Sequence, residues 1–282
     1  MTSFKDNPEA IIVREIENFV SESKDNRKSL DGIPYFDTPL VGFADAHDRL
    51  FQEFKEVIGE FHLTPMEVLK RSFPEHTATW DEPSVISWIL PISRPIRESN
   101  RQQTRSPSKA WSHTRTYGEE FNEQLRRHVV SFIQGQGFLA VAPVISPLFD
   151  FCQSNTVGFT SNWSERHVAY AAGLGTFSLS RGLITSKGVA MRCGSAVTNL
   201  KLNPTSRSYS DFQAYCLFYN SGTCGKCIER CPGGAINKEG HDKDLCFTYC
   251  QEIWQKSNGE ILGCGLCQTG VPCEAGIPQN TK

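Results

Sequence analysis

Nine of the eleven cysteines in this 282-residue chain fall between Cys216 and Cys273. Their spacing is Cys224-x2-Cys227-x3-Cys231-Pro232, then Cys246 and Cys250, then Cys264-x2-Cys267-x5-Cys273, with Cys216 upstream of them all. A Cys-x2-Cys loop supplies two thiolates from a single turn, and more distant cysteines complete the tetrahedral site. The run ending in Cys-Pro is the tail of the bacterial ferredoxin pattern, in which the cysteine before the proline serves the other cluster. Two [4Fe–4S] clusters need eight thiolates, and nine are present. The spacing therefore predicts a chain that passes single electrons. Zinc would suit two Cys-x2-Cys knuckles, but Cys-x3-Cys-Pro is an iron–sulfur element. Disulfides need an oxidising compartment, and nothing in the sequence points to export.

Composition is that of an ordinary globular protein, with 39% hydrophobic and 21% charged residues. The net charge of −2 offers no overall basic field to attract nucleic acid. The N-terminal stretch MTSFKDNPEA lacks the apolar segment of a signal peptide, and no apolar run is long enough to cross a bilayer. A cytoplasmic protein with no membrane partner is expected.

Hydrophobic spacing outlines the first two hundred residues. Ile12, Ile16, Phe19 and Val20 mark one helix face, and Leu50, Phe51, Phe54, Val57 and Ile58 mark a second. Residues 24–42 read as turns. Val85–Ile92 is a nearly continuous apolar run punctuated by Pro91 and Pro95, the pattern of a buried strand. The polar residues 98–117 read as a loop or substrate-side flap. Glu119–Gln134 reads as a helix, and Phe138–Val144 as the next strand. Asn162 is positioned to cap a helix beginning at Trp163, with Glu165 reaching back and Gly173 ending it. Leu183–Thr185 and Ala196–Thr198 read as a strand pair. Strand, helix and strand in this order predict an α/β (α+β) class. The Pro- and Ser-rich residues 203–210 suggest a boundary between a domain at 1–205 and a smaller one at 206–282.

Three local features outside the cysteines carry chemistry. Gly173-Leu174-Gly175-Thr176 lets backbone approach a ligand or closes a helix, but Ser178 occupies the third glycine position of a dinucleotide fingerprint and a helix precedes it, which excludes NAD or FAD there. Trp163, Glu165, Arg166 and His167 gather in one turn, with His167 either on a solvated face or acting as a ligand or proton donor. His241-Asp242-Lys243 is either a polar loop or an outer support for a cluster. Cys152 and Cys193 read as isolated structural thiols.

The order of these elements resembles the epoxyqueuosine reductase and reductive dehalogenase superfamily. The matching pieces are Glu165-Arg166, Ala172-Gly173-Leu174-Gly175, Gly182-Leu183-Ile184-Thr185, Gly194-Ser195 and the cysteine motifs, across about residues 160–275. The resemblance implies a nitroreductase-like, corrinoid-binding α/β domain followed by a ferredoxin-like double-cluster domain. It implies a cobalamin held base-off and fed through two [4Fe–4S] clusters by an external ferredoxin or flavodoxin. The acceptor would be a small molecule, or a corrinoid or corrinoid protein. Corrinoid contacts would come from Trp163, Glu165, Arg166, Gly173, Leu174, Gly175, Thr176, Thr185 and Ser195. Cys224, Cys227, Cys273 and Cys216 would hold one cluster, and Cys231, Cys246, Cys264 and Cys267 the other. Ser221 stands where the family's first cysteine belongs, so Cys216 or Cys250 must replace it. The family's acidic proton donor aligns near Phe159 and Thr160, neither of which is a carboxylate. An epoxyqueuosine reductase acting on tRNA would need another acid, with His167 and Tyr170 as candidates. His113 and Tyr117 are further ones. A non-enzymatic two-cluster electron carrier is the remaining alternative.

Overall fold

A computed structural model describes residues 4–28, 32–76 and 80–279. The chain runs through α1 (Pro8–Glu22), β1 (Leu40–Asp45), α2 (Leu50–Ile58), α3 (Pro65–Ser72), β2 (Ser84–Pro91), α4 (Arg94–Arg101) and α5 (Lys109–Gly135). It continues through β3 (Ala140–Val141), β4 (Phe151–Ser154), β5 (Gly158–Ser161), α6 (Glu165–Ala171), β6 (Gly175–Phe177), β7 (Leu183–Thr185) and β8 (Met191–Thr198). The cysteine-bearing segment adds α7 (Leu217–Ser221), α8 (Lys226–Glu229), β9 (Ile236–Asn237), β10 (Gly240–His241) and α9 (Lys243–Lys256). Of the turn-rich stretch 24–42, residues 29–31 lie outside the described residues. No helix among the described residues is long and apolar enough to cross a membrane.

The central sheet has the order β1-β2-β8-β3, with antiparallel neighbours throughout. Strand β2 is buried along its whole length, and its period of two divides the core. Ile86, Trp88 and Leu90 pack with Ile12, Ile16 and Val20 of α1 and Phe121, Leu125, Val129 and Ile133 of α5. Val85 and Ile89 pack instead with Phe51, Phe54 and Ile58 of α2, Val68 and Leu69 of α3, and Val168 and Ala169 of α6. The result is a mixed α/β sandwich with helices on both faces of the sheet. Gly194 sits opposite Trp88, where a Cβ would come within 2.4 Å of the indole, so glycine is required at that register.

Several local expectations are corrected. Residues 98–117 are not a flap: α4 ends at Arg101 and α5 begins at Lys109, ten residues before the expected start. Their polar side chains face the cysteine-bearing segment. The buried Glu274 pairs with Arg97 and Arg101, Asn100 donates to Thr269 Oγ1 at 3.0 Å, and Arg230 donates to the carbonyls of Gln103 and Thr269. Gly265, inside the Cys264-x2-Cys267 loop, has φ +67°, and a Cβ there would meet the Trp111 indole of α5 at 2.2 Å.

Phe138–Val144 keeps only two strand residues. Leu183–Thr185 pairs with β6, and residues 196–198 belong to β8, which inserts between β2 and β3 in the central sheet. Asn162 does not cap α6. Its side chain bridges Asp150 N and Leu148 O, and Glu165 turns inward. Residues 203–210 are anchored to the sheet body, since Thr205 exchanges two hydrogen bonds with Phe43 and Arg207 pairs with Asp48.

Candidate functional site

The nine cysteines of the C-terminal segment sort into two sets by their neighbours. Cys216, just before α7, Cys224, Cys227 of α8 and Cys273 line one small cavity, floored by Ser178, Ser180 and Ile184. Burial, then Cys216 and Cys224, push the Cys227 thiol up to about 11. Burial, then Cys216, Cys227 and Cys224, push Cys273 up to about 12. Ser221 is exposed at the end of α7 and donates to Leu217 O, away from this cavity.

The second set is built on α9 and the Cys264-x2-Cys267 loop. Burial raises Cys267 well above the ordinary thiol range, with Cys264, Cys246 and Cys231 adding to it. Burial, with further contributions from Cys246 and Cys231, lifts Cys264 up to about 11. Cys250 lies one helical turn from Cys246 on α9, close enough to hydrogen-bond with it, which raises Cys246 and lowers Cys250. His241 sits beside Cys246. All eleven cysteines are free thiols, and no three side chains among the described residues meet tightly enough to clasp a single ion. Half-buried thiols that repel one another's charge are a donor set suited to a cationic metal group, which removes their protons and the repulsion together.

A cleft of about 870 Å³ opens between the sheet body and this segment. Its walls are Phe54 and Ile58 of α2, Ser164, Arg166, His167 and Tyr170 at α6, Phe177 through Leu179, Arg181, Phe212 and Tyr219, and Gly240 and Lys243. The volume lies toward the upper end of the range for small-molecule and cofactor sites. Ser178 lines both the cleft and the four-thiol cavity, and the charge of Cys267 reaches Arg166. The four-thiol cavity thus adjoins the cleft through Ser178, and Cys267 of the second set lies near Arg166 on the cleft wall.

Of the residues expected to contact a cofactor, Arg166 lines the cleft, as do the candidate acids His167 and Tyr170. Trp163, Glu165 and Ser195 are instead brought together inside the protein. Trp163 Nε1 donates to Ser195 Oγ at 3.0 Å, and Ser195 Oγ donates to Glu165 Oε2 at 2.5 Å. Arg126 of α5 donates to Glu165 at 3.2 Å, to Glu119 at 2.8 Å and to Cys193 O at 3.1 Å. Burial raises the Glu165 carboxyl above the ordinary range, and Arg126 and Ser195 oppose that rise. Gly175 is packed where a Cβ would lie 2.2 Å from Ile184 O, and Gly173 has φ +76° against the carbonyls of Thr205 and Ser206. Leu174 packs beside Gly42 in the core. Thr176 accepts from Tyr215 N, and Thr185 donates to Gly188 O. None of these side chains is among those lining the cleft. Phe159 is half-exposed and stacks on Phe151 at 5.5 Å, whereas its neighbour Thr160 reaches the cleft.

Sequence reasoning missed Arg181 and Arg126 altogether and read Lys243 as part of either a polar loop or an outer support for a cluster. Arg181 carried one readable signal, its place before Gly182 in a tight Ser-Arg-Gly turn. Arg126 carried none, because two of its partners, Glu165 and the Cys193 carbonyl, lie on α6 and β8, and the third, Glu119, is two turns away on α5.

His62 lies behind the start of α6. It is buried, stacks on Trp163, and accepts from Ser164 N at the start of α6. Burial, aided by Lys55, lowers it to about 4. The unfolded chain takes up this proton first, so the stability His62 contributes is complete above the ordinary histidine value of 6.5 and is lost as pH falls toward 4. His167, also lowered by burial, acts with the same sign. Urea midpoints should fall between pH 7 and pH 5 by an amount equivalent to about 2 kcal/mol from His62 alone, and His62→Gln should flatten that slope. An unchanged slope in the variant would place the acid sensitivity elsewhere.

No protein-family model matches the chain. An epoxyqueuosine reductase of Lactococcus garvieae (strain Lg2) is 28% identical over 173 residues, which cover 57% of this chain and 44% of that protein. The epoxyqueuosine reductase of Bacillus anthracis is 29% identical over 128 residues, covering 42% of this chain and 31% of that protein. A solved reductive dehalogenase, whose structure suggests a mechanism for B12-dependent dehalogenation, aligns over 85% of this chain and 30% of its own, with a TM-score of 0.50 and 13% identity. The chain is thus similar in sequence to epoxyqueuosine reductases and shares its fold with a reductive dehalogenase. It spans less than half the length of the curated relatives it matches.

Proposed function

We propose that this protein is an oxidoreductase in which two [4Fe–4S] clusters pass single electrons to a corrinoid held base-off in the cleft. The electrons would reduce a small substrate or the corrinoid itself. The observation that carries this reading is the division of nine thiols into a set of four, whose cavity shares Ser178 with the cleft, and a set of five, whose Cys267 lies near the cleft residue Arg166. Cys216, Cys224, Cys227 and Cys273 would hold one cluster. Cys231, Cys246, Cys264 and Cys267 would hold the other, with Cys250 spare. When bound, the clusters supply low-potential electrons and the corrinoid supplies the reducing centre.

The chain's own residues supply the surroundings. Phe54 and Phe177 exclude water from the inner wall, and His167 packs between them, edge-on to Phe54 at 4.9 Å and tilted against Phe177 at 4.7 Å. Tyr170 lines the cleft, and burial raises its phenol above the ordinary value, so it holds a proton at neutral pH and is the candidate acid. His167, lowered well below the ordinary value, is neutral there and serves as a hydrogen-bond partner of Ser164 Oγ. An external ferredoxin or flavodoxin would deliver the electrons.

The test is cobalamin titration of anaerobically reconstituted protein, read by optical and EPR spectroscopy. A base-off cobalt signal is expected. Full cluster loading with no corrinoid affinity would overturn the reading and leave a two-cluster electron carrier.

A second reading, epoxyqueuosine reduction in tRNA, is favoured by the epoxyqueuosine reductases among its curated relatives. Complementation of a queuosine-deficient strain decides between the two, since a well-folded, cluster-loaded protein that fails to complement removes it.

A further inference from the structure

We propose that Arg166, Arg181 and Lys243 form a phosphate-binding site inside the cleft. This deepens the reading above, because it rests on the cleft being the reaction site. The three side chains reach the cleft from α6, from the β6–β7 turn and from the first residue of α9. The cleft's other arginines are already neutralised, Arg207 by Asp48 and Arg49 by Glu53. Among the described residues, no ion pair engages Arg166, Arg181 or Lys243. Three unpaired cations in one half-buried space repel one another. Burial and then Arg166 and Arg181 lower Lys243 to about 8, and the same cations add to the lowering of His167. A single carboxylate would neutralise one of the three, whereas a phosphate carries up to two charges and enough oxygens to accept from several donors at once.

The backbone is organised around the same point. Arg181 has φ +57°, a left-handed conformation that a non-glycine residue adopts only at a steric cost. The turn holding it is closed by Ser178, whose carbonyl accepts from Arg181 N at 2.8 Å and whose amide donates to Gly182 O. The Arg181 carbonyl then accepts from Arg166 Nη1 at 2.6 Å, so the strained turn also aims the second arginine. Lys243 Nζ is held by the Phe159 carbonyl at 3.5 Å, a weak contact that an anion would readily displace. Strain kept at a ligand-facing position is a recurring mark of a binding site.

The phosphate could belong to a substrate or to the nucleotide tail of a corrinoid, and the experiment separates them. Inorganic phosphate is titrated calorimetrically into the full-length, cluster-loaded protein and into Arg181→Gln and Lys243→Gln, with visible absorbance and circular dichroism confirming cluster content and folding. Each substitution should weaken phosphate binding by about tenfold or more. Failure of the parent protein to bind phosphate, or equal binding by folded variants, would overturn the site. Cobalamin and cobinamide, which lacks the phosphate, are then compared. Variants that lose cobalamin but keep cobinamide assign the phosphate to the corrinoid, and variants that keep both assign it to the substrate. Base-off cobalamin binding without phosphate binding defeats this site and leaves the corrinoid reading intact. Phosphate binding without corrinoid affinity does the reverse.

Discussion

Replacing Cys216 by alanine should leave anaerobically reconstituted protein with about half the iron and acid-labile sulfide of the parent, while Cys250→Ala should leave both unchanged. The expectation follows from where the ninth thiol sits. Cys216 is buried at the base of α7 and lines the same cavity as Cys224, Cys227 and Cys273. Cys250 lies beside Cys246, in a set that already has Cys231, Cys264 and Cys267. A cluster with three thiolates and a water in the fourth position is held loosely, so the loss at Cys216 should show in EPR of the reduced protein as well as in iron content. Full iron in Cys216→Ala together with loss in Cys250→Ala would reverse the assignment.

The second large effect concerns stability. Arg126→Met should destabilise the fold by about 3–5 kcal/mol, a sizeable share of what a domain has. Arg126 is buried and is the cation shared by Glu119 and Glu165. Its removal leaves two carboxylates facing each other beneath α6, and it also strips a donor from Cys193 O. Adding Glu165→Gln to the variant should recover part of the loss, because the uncompensated charge is then gone. Urea unfolding of the two variants against the parent measures both quantities. A loss under about 1 kcal/mol would mean that water, rather than Arg126, satisfies these carboxylates.

Much of the sheet body could be read from periodicity. The run Val85–Ile92 became β2 almost residue for residue, since a strand covered on both faces needs a continuous apolar segment. The apolar stripe through Phe121, Leu125 and Val129 located the second half of α5. Its first half was missed because Trp111, Ser112 and Thr114 are buried against a segment some 150 residues away, and a helix facing a polar partner has no apolar stripe to show. The same cause hid α4, whose Arg97, Asn100 and Arg101 are polar because Glu274, Thr269 and Arg230 are. Glu165 was read as a capping residue on local spacing, but a buried arginine from another helix offered it a stronger partner.

What the sequence by itself determined is the thiol inventory and the local loops that present it. Cys-x2-Cys and Cys-x3-Cys-Pro act over a few residues, where covalent geometry limits the arrangements. Only the tertiary structure decided that Cys216 faces Cys273 across 57 positions of chain while Ser221 turns away. It also decided which half of the Trp163–His167 turn is buried and which half faces the cleft, bringing Arg181 and Lys243 to Arg166. These outcomes depend on packing between distant elements, and no local spacing encodes them.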